Sequence, residues 1–235
     1  MAVTTLKIDG KEVSANEDET ILDVAFQAGI KIPTLCHIEG LTDIGACRMC
    51  IVEVAGSNKL QPACTTKVKD GMEITTQTAR LKKYRKMVLE MLFSERNHVC
   101  AVCVSNGNCD LQTLAVEHDL THVRMPYLYP KTEIDASHEW FALDQNRCVL
   151  CQRCVRVCDE IEGAHVWDVS GRGVQSRVIT GLNEPWADSD TCTSCGKCVQ
   201  VCPTGALSNK GKATGEMTKH REFLPYLAQR RHDHK

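Results

Sequence analysis

Apolar and polar positions alternate over residues 4–14, where Leu6 and Ile8 stand between Thr5, Lys7 and Asp9. Asp9-Gly10 is a two-residue turn signal, so this stretch predicts a hairpin. The period then changes. Ile21, Val24, Ala25 and Ala28 recur at helical spacing, Thr20 with Asp23 resembles a capping box, less well than a Glu would, and Gly29 offers a stop. Pro33 sends the chain into a loop. Ile51, Val52 and Val54 predict another strand, and Met72 to Thr76 a further one. Together these elements predict a small α+β sheet wrapped over one helix. Residues 79–95 read as a second helix. Leu81, Tyr84, Val88, Met91 and Leu92 form its apolar stripe, and Lys82, Lys83, Arg85 and Lys86 form a solvated face.

Periodicity fades over 97–135, so something other than an apolar core must organise part of that segment. Beyond it, His165 to Ser170 and Val174 to Thr180 predict a hairpin around Gly171-Arg172-Gly173. Residues 211–235 are polar and basic and contain Pro225. They read as a solvated tail in which His232 and His234 offer at most weak metal ligands.

Charge changes the picture little. The 28 basic and 30 acidic residues leave a net charge of −2, which gives no nucleic-acid or membrane-surface footprint. There is no apolar run long enough for a membrane span. The N-terminus lacks the basic-then-apolar layout of a secretion signal, so a cytoplasmic location is expected. Cysteine changes it greatly. Fifteen cysteines cannot all pair with one another, and a reducing compartment keeps thiols free, so the count points to metal. The low aromatic content, 5%, also implies thin cores that need metal staples.

The strongest signal is a repeat. Cys148, Cys151, Cys154 and Cys158 follow a C-x2-C-x2-C-x3-C spacing, and Cys192, Cys195, Cys198 and Cys202 repeat it. This is the bacterial ferredoxin spacing for [4Fe–4S] clusters. Three thiolates two residues apart curl around one cube, while the fourth starts a helix and points toward the other. Cys148, Cys151, Cys154 and Cys202 are therefore expected to hold one cluster, and Cys192, Cys195, Cys198 and Cys158 a second. Zinc would more often use two separated C-x2-C knuckles. Cys36, Cys47, Cys50 and Cys64 share the x2 step and distant last ligand of plant-type [2Fe–2S] proteins, with a longer first gap. Zinc competes more fairly here. Gly40 and Gly45 lie in that loop, where backbone N–H groups can approach the sulfurs.

Cys100, Cys103 and Cys109 remain, one ligand short of a fourth site. The candidates for the missing ligand are His98, a water, His118 and His122. The count favours His98, two residues before the first cysteine. A neutral imidazole in place of a thiolate leaves a cluster less negative and easier to reduce, as in Rieske centres. Ionising every cysteine around four cores takes the oxidised protein to about −9. Arg48, Arg147, Arg153, Arg156 and Lys197 lie among the ligands and offset part of that charge. No nucleotide-binding, phosphate-binding or serine-nucleophile motif is present, and the ligand sets leave no spare cysteine nucleophile, so no catalytic residue is assigned. Several clusters without a substrate site describe an electron wire.

The stretches IPTLCH, GACRMCIVEV, NHVCAVCVSNGNCDLQ, RCVLCQRCVRVCDEIEGAHVWDVSGRG and CTSCGKCVQVCPTGAL, in that order, resemble the iron–sulfur diaphorase subunit of bidirectional NAD-reducing [NiFe] hydrogenases. They also resemble the N-terminal part of the large iron–sulfur subunit of respiratory complex I, over about residues 3–210. The resemblance implies one [2Fe–2S] cluster on Cys36, Cys47, Cys50 and Cys64, and a histidine-ligated [4Fe–4S] cluster on His98, Cys100, Cys103 and Cys109. It also implies two cubanes on the ferredoxin runs. The complex I histidine stands four positions before its first cysteine, where this chain has Arg96. The H-x-C spacing here looks like the hydrogenase branch. The implied fold is a β-grasp domain over 1–78, a histidine-ligated cluster segment over 79–135 and a two-cluster ferredoxin domain over 136–210, before a polar tail at 211–235. The implied partners are an FMN- and NADH-binding diaphorase subunit and the small and large hydrogenase subunits, in a hetero-oligomer without a membrane span. The alternatives are the equivalent subunit of another NADH-linked complex, a formate dehydrogenase or a complex I relative, and a zinc-stapled interaction protein.

Overall fold

A computed structural model describes residues 3–233. The N-terminal hairpin pairs β1 (Val3–Ile8) with β2 (Lys11–Asn16), and both turn residues, Asp9 and Gly10, take positive φ, which fits the twist of a two-residue hairpin. The α1 helix (Ile21–Gln27) starts at the capping box: Thr20 Oγ1 accepts from the Asp23 N–H, and the Asp23 carboxylate accepts from the Thr20 N–H at 2.9 Å. Strands β3 (Ile51–Val54), β4 (Gln61–Pro62) and β5 (Glu73–Thr75) complete a five-stranded sheet in the order β2-β1-β5-β3-β4. Its central pair, β1 and β5, is parallel. Leu6, Ile8, Ile21, Val24, Val52 and Ile74 bury their side chains between the sheet and α1. The loop from α1 to β3 is thereby left at one edge, and it carries Cys36, Cys47 and Cys50.

The α2 helix (Ala79–Glu95) is capped by Thr78, whose hydroxyl accepts from the Leu81 N–H. Its buried face differs from the expected stripe. Leu81, Arg85 and Leu89, one turn apart, point inward, while Tyr84 and Met91 are exposed. The reason is Arg85, whose guanidinium reaches the carbonyls at the start of β3 and turns the helix to keep them. A short α3 (Asp110–Glu117) then packs Leu111 and Leu114 against Leu89, Leu35 and Met49. This small core joins the first cysteine loop to the segment around His98.

The third part is built on the repeat. Strands β6 (Ile134–Asp135) and β7 (Phe141–Asp144) precede the first run, which enters α4 (Arg153–Arg156) and continues as a π-helix over Val157–Glu162. A hairpin of β8 (Trp167–Ser170) and β9 (Arg177–Thr180) follows. Its connection is longer than expected: Val174 lies in a 3-10 turn and is exposed, not in the second strand. The second run enters α5 (Lys197–Val201), and β10 (Leu207–Asn209) returns to pair with β7. The two ends of the repeat therefore close on each other.

Residues 211–233 are not a solvated tail. Met217 and the Leu224 side chain of α6 (Phe223–Asp233) are buried in the ferredoxin-type core. Lys219 donates to the carbonyls of Val199 and Leu207, and Arg221 to those of Gln200 and Cys202 and to Asp110. Two of the segment's basic residues are thus spent on carbonyls of α5, of Cys202 at its end and of Leu207 at the start of β10. His234 and the side chain of His232 lie outside the described residues. No described helix is long and apolar enough to cross a membrane.

Candidate metal centres

The expected donors gather in four places, although among the described residues no three of them are drawn close enough to hold a single metal ion. In the first, Cys36, Cys50 and Cys64 are buried and Cys47 is partly so. Cys47 Sγ accepts from the backbone N–H groups of Cys36 at 3.3 Å and Met49 at 3.5 Å, and Cys50 and Cys64 lie with their sulfurs 3.4 Å apart. Hydrogen bonds from Cys47 and Cys64 hold the Cys36 thiol far below its ordinary range, and the same bonds, then burial, push Cys47 and Cys64 up. The set thus shares a few protons among four sulfurs, which a bound cation would expel. Gly45 packs on Thr65 in a left-handed conformation, whereas Gly40 makes room for α6: a Cβ there would stand 3.2 Å from Leu224 and Ala228.

His98, Cys100, Cys103 and Cys109 line one cavity. The His98 ring lies edge-on to Phe93, and its Nε2 is buried with no hydrogen-bond partner. Burial first, then the Arg147 and Arg96 charges, lowers its pKa to about 4, so at neutral pH it is the uncharged imidazole that binds metals. Ser105 Oγ, lining the same cavity, is also buried and unpartnered. The third wall is Gly205, where a Cβ would stand 2.5 Å from Cys103 Sγ. Two orphaned polar atoms and a missing side chain around three thiols fit a bound inorganic centre. Sequence reasoning passed over Ser105 and Gly205; the only hint of the latter was the PTGAL segment immediately after Cys202.

Cys148, Cys151, Cys154 and Cys202 line a third cavity, walled by Leu143, Val178 and Leu207. Cys158 lines a fourth with Cys192, Cys195 and Cys198. The two runs share one backbone design. Leu150 and Gln152 have φ of 51° and 57°, and Ser194 and Gly196 at the equivalent positions have 56° and 68°. This left-handed pair around each middle cysteine curls the loop so that the flanking thiols face the same space. The π-turn that contains Cys158 aims it at the other run. Burial raises the thiol pKa of Cys148 to about 12 and of Cys151 to about 11, so ionising them requires a cation. In the fourth set Trp186 Nε1–H donates to Cys192 Sγ at 3.3 Å and the Val166 N–H to Cys158 Sγ at 3.4 Å. Cys195 is the one exposed cysteine among the described residues.

The sets are joined by buried arginines that the sequence read as generic cations. Arg156, 6% exposed, donates to the carbonyls of Cys36 at 2.6 Å, Thr42 at 2.6 Å and Cys151 at 3.2 Å. Arg153, 4% exposed, donates to His37 O at 2.7 Å and to Asp110 at 2.9 Å. Lys197 instead pairs with Glu162, and Arg147 with Asp144 and the carbonyl of Asn97. His37 pairs with Asp43, and His122 is engaged with Thr121, so neither stands in a cysteine cavity. His118 Nε2 is buried and unpartnered, but it does not line the cavity that holds His98.

Comparison with known proteins gives three family matches. Residues 2–79 match the 2Fe-2S iron-sulfur cluster binding domain, 85–124 the NADH-ubiquinone oxidoreductase-G iron-sulfur binding region, and 139–208 the NADH-quinone oxidoreductase subunit 3 ferredoxin-like domain. The chain is 34% identical to the NAD-reducing hydrogenase HoxS subunit gamma of Cupriavidus necator, over 87% of this chain and 86% of that one. It is 37% identical to the NADPH-Fe(3+) oxidoreductase subunit alpha of Geobacter sulfurreducens over 88% of its length, but spans only 24% of that longer protein. Its backbone superposes on a chain in the crystal structure of an NAD+-reducing [NiFe]-hydrogenase in the H2-reduced state with a TM-score of 0.86, at 33% identity and 97% coverage of both chains.

Proposed function

The chain belongs to the family of the gamma subunit of NAD-reducing hydrogenase, and from that premise we propose that it relays electrons between an NADH- and FMN-binding diaphorase subunit and a hydrogenase module of small and large subunits. The complex so formed interconverts H2 plus NAD+ with NADH plus H+. This chain contributes the conduit and no substrate site. Cys36, Cys47, Cys50 and Cys64 hold a [2Fe–2S] cluster in a β-grasp domain over 1–78. His98, through Nε2, with Cys100, Cys103 and Cys109 holds a [4Fe–4S] cluster over 79–135. Cys148, Cys151, Cys154 and Cys202, and Cys192, Cys195, Cys198 and Cys158, hold two more over 136–210. The segment 211–235 follows, and its described part straps these units. Thiolate ligation in such number suits the reducing cytoplasm.

When bound, such clusters supply one-electron storage at potentials set by ligand charge, hydrogen bonding and burial. The chain's own residues set those terms. N–H donors from Trp186, Val166, Cys36 and Met49 meet sulfurs and favour the more negative state. Cys148, Cys151, Cys154 and Cys202 are all buried, Cys47 and Cys100 leave the first two sets partly open, and the exposed Cys195 leaves the last facing the surface. Arg153 and Arg156 hold the first loop against the ferredoxin-type unit and so keep the sets at fixed separation.

The observation that carries this reading is the unpartnered, buried His98 Nε2 in the cavity of three cysteines, which completes sixteen donors in four groups. Anaerobic iron and acid-labile sulfide analysis tests it: about fourteen irons per chain are expected. Low-temperature EPR of His98→Cys and His98→Ala should alter one cubane signal and leave the other three. Zinc without sulfide, or four signals indifferent to His98→Ala, overturns the assignment. A second reading, the equivalent relay in another NADH-linked complex, is favoured by the likeness to the longer Geobacter subunit. Nickel co-purifying with NADH-linked hydrogen turnover decides for the hydrogenase.

A further inference from the structure

Arg85 is wholly buried on the inward face of α2, a position a charged side chain rarely takes without a counter-ion. Its Nε donates to Met49 O at 3.1 Å and its Nη2 to Ile51 O at 2.7 Å, while Nη1 is buried without a partner. Among the described residues no carboxylate forms an ion pair with it. Asp9, the acid whose charge most supports it after Cys50, spends its carboxylate on the N–H and hydroxyl of Thr76. Two carbonyls satisfy part of the hydrogen bonding and none of the charge. The residue between those two carbonyls is Cys50. Once the first cysteine set is ionised, its negative charge lies on the loop that the guanidinium grips, and it is the anion the fold otherwise lacks.

We propose that Arg85 is a positioning cation for the first cluster: it holds the Met49–Ile51 turn that presents Cys50, and its charge raises the reduction potential of the [2Fe–2S] group bound there. The inference rests on the iron–sulfur reading above. Ligation by thiolates leaves the cluster negative in both redox states, and one unit more so after it takes up an electron. A fixed cation in a low-dielectric surrounding stabilises the more negative state more, so reduction becomes easier. In the titration one electron enters from the chemical reductant; no covalent bond is made or broken.

The test is an EPR-monitored potentiometric titration of the full-length, anaerobically prepared chain, comparing wild type with Arg85→Gln and Arg85→Lys. The Gln variant is expected to shift the one-electron equilibrium of the [2Fe–2S] signal about tenfold toward the oxidised form, about 59 mV, and to leave the cubane signals in place. The Lys variant keeps the charge and should stay within about threefold of wild type. If Gln loses the cluster, retention of the wild-type midpoint by Lys still supports a requirement for charge. A Gln midpoint equal to wild type overturns the proposal. So does a Lys variant that shifts as far as Gln is expected to, or that loses the cluster as well, because either leaves only a role in hydrogen bonding and packing. A wild-type chain without any [2Fe–2S] signal defeats the underlying reading instead, and the two failures are distinguishable.

Discussion

Replacing Gly205 with alanine should remove the cluster proposed on His98, Cys100, Cys103 and Cys109 and spare the others. The added Cβ would sit 2.5 Å from Cys103 Sγ. Ordinary contact begins near 3.5 Å, so about 1 Å must be found. Gly205 does not take positive φ, so the penalty is purely steric. The backbone has little room to retreat. On one side the Pro203 carbonyl accepts from the Asp110 N–H at 2.8 Å, and Thr204 Oγ1 donates to Arg147 O at 2.7 Å; on the other Asp144 donates to Ala206 O at 2.7 Å. The sulfur must therefore yield. Overpacking of this size costs about 1–3 kcal/mol in a metal-free chain. Metal–sulfur distances tolerate only about 0.2 Å, so the same displacement abolishes ligation there. Iron analysis should fall by about four atoms per chain, with the His98-dependent EPR signal lost and the other three kept. Wild-type iron content with an unaltered signal would show that Cys103 can shift freely, and the argument from close approach would fail.

Trp186→Phe keeps the ring against Trp167 and deletes the donor to Cys192, so the fourth cluster's reduced state should lose about 1 kcal/mol; a midpoint that does not fall refutes the role of that N–H. Arg156→Gln strips donors from the carbonyls of Cys36, Thr42 and Cys151 and should cost about 3 kcal/mol, read as a lower denaturation midpoint; an unchanged midpoint would make the bridge dispensable. Glu90, 1% exposed, is held by hydrogen bonds from Arg124 at 2.7 and 2.9 Å, which lower its pKa below 4.5. A depressed folded pKa contributes stability above the unfolded value and loses it as pH falls through the folded one. Glu90→Gln should therefore be less stable than wild type at neutral pH, with the gap closing below pH 4.5; a gap independent of pH rules this linkage out.

Much of the local structure was legible in the chain. The hairpin at Asp9-Gly10, the capped α1 and the full span of α2 follow from turn chemistry, caps and periodicity over a few residues. The misreadings of α2 and of the C-terminal segment share a cause, hydrogen bonds to carbonyls distant in sequence. Tyr84 and Met91 fitted an apolar stripe, yet α2 buries Arg85, because hydrogen bonds to Met49 and Ile51 outweigh side-chain polarity. Residues 211–235 looked solvated by composition, yet Lys219 and Arg221 are occupied by carbonyls about 10 to 20 residues away.

Which thiols are neighbours was legible in the chain alone: spacings of three or four residues bring them into one loop whatever surrounds them, and fifteen cysteines with His98 two residues before Cys100 make up the expected donors. Only the tertiary structure decided what stands around each set. Gly205 faces Cys103 across about a hundred residues, Arg156 reaches back to Cys36 from the ferredoxin repeat, and Arg85 lies behind Cys50. Such contacts depend on how distant surfaces close on one another, and close packing is a property of that three-dimensional fit, which leaves no periodic trace along the chain.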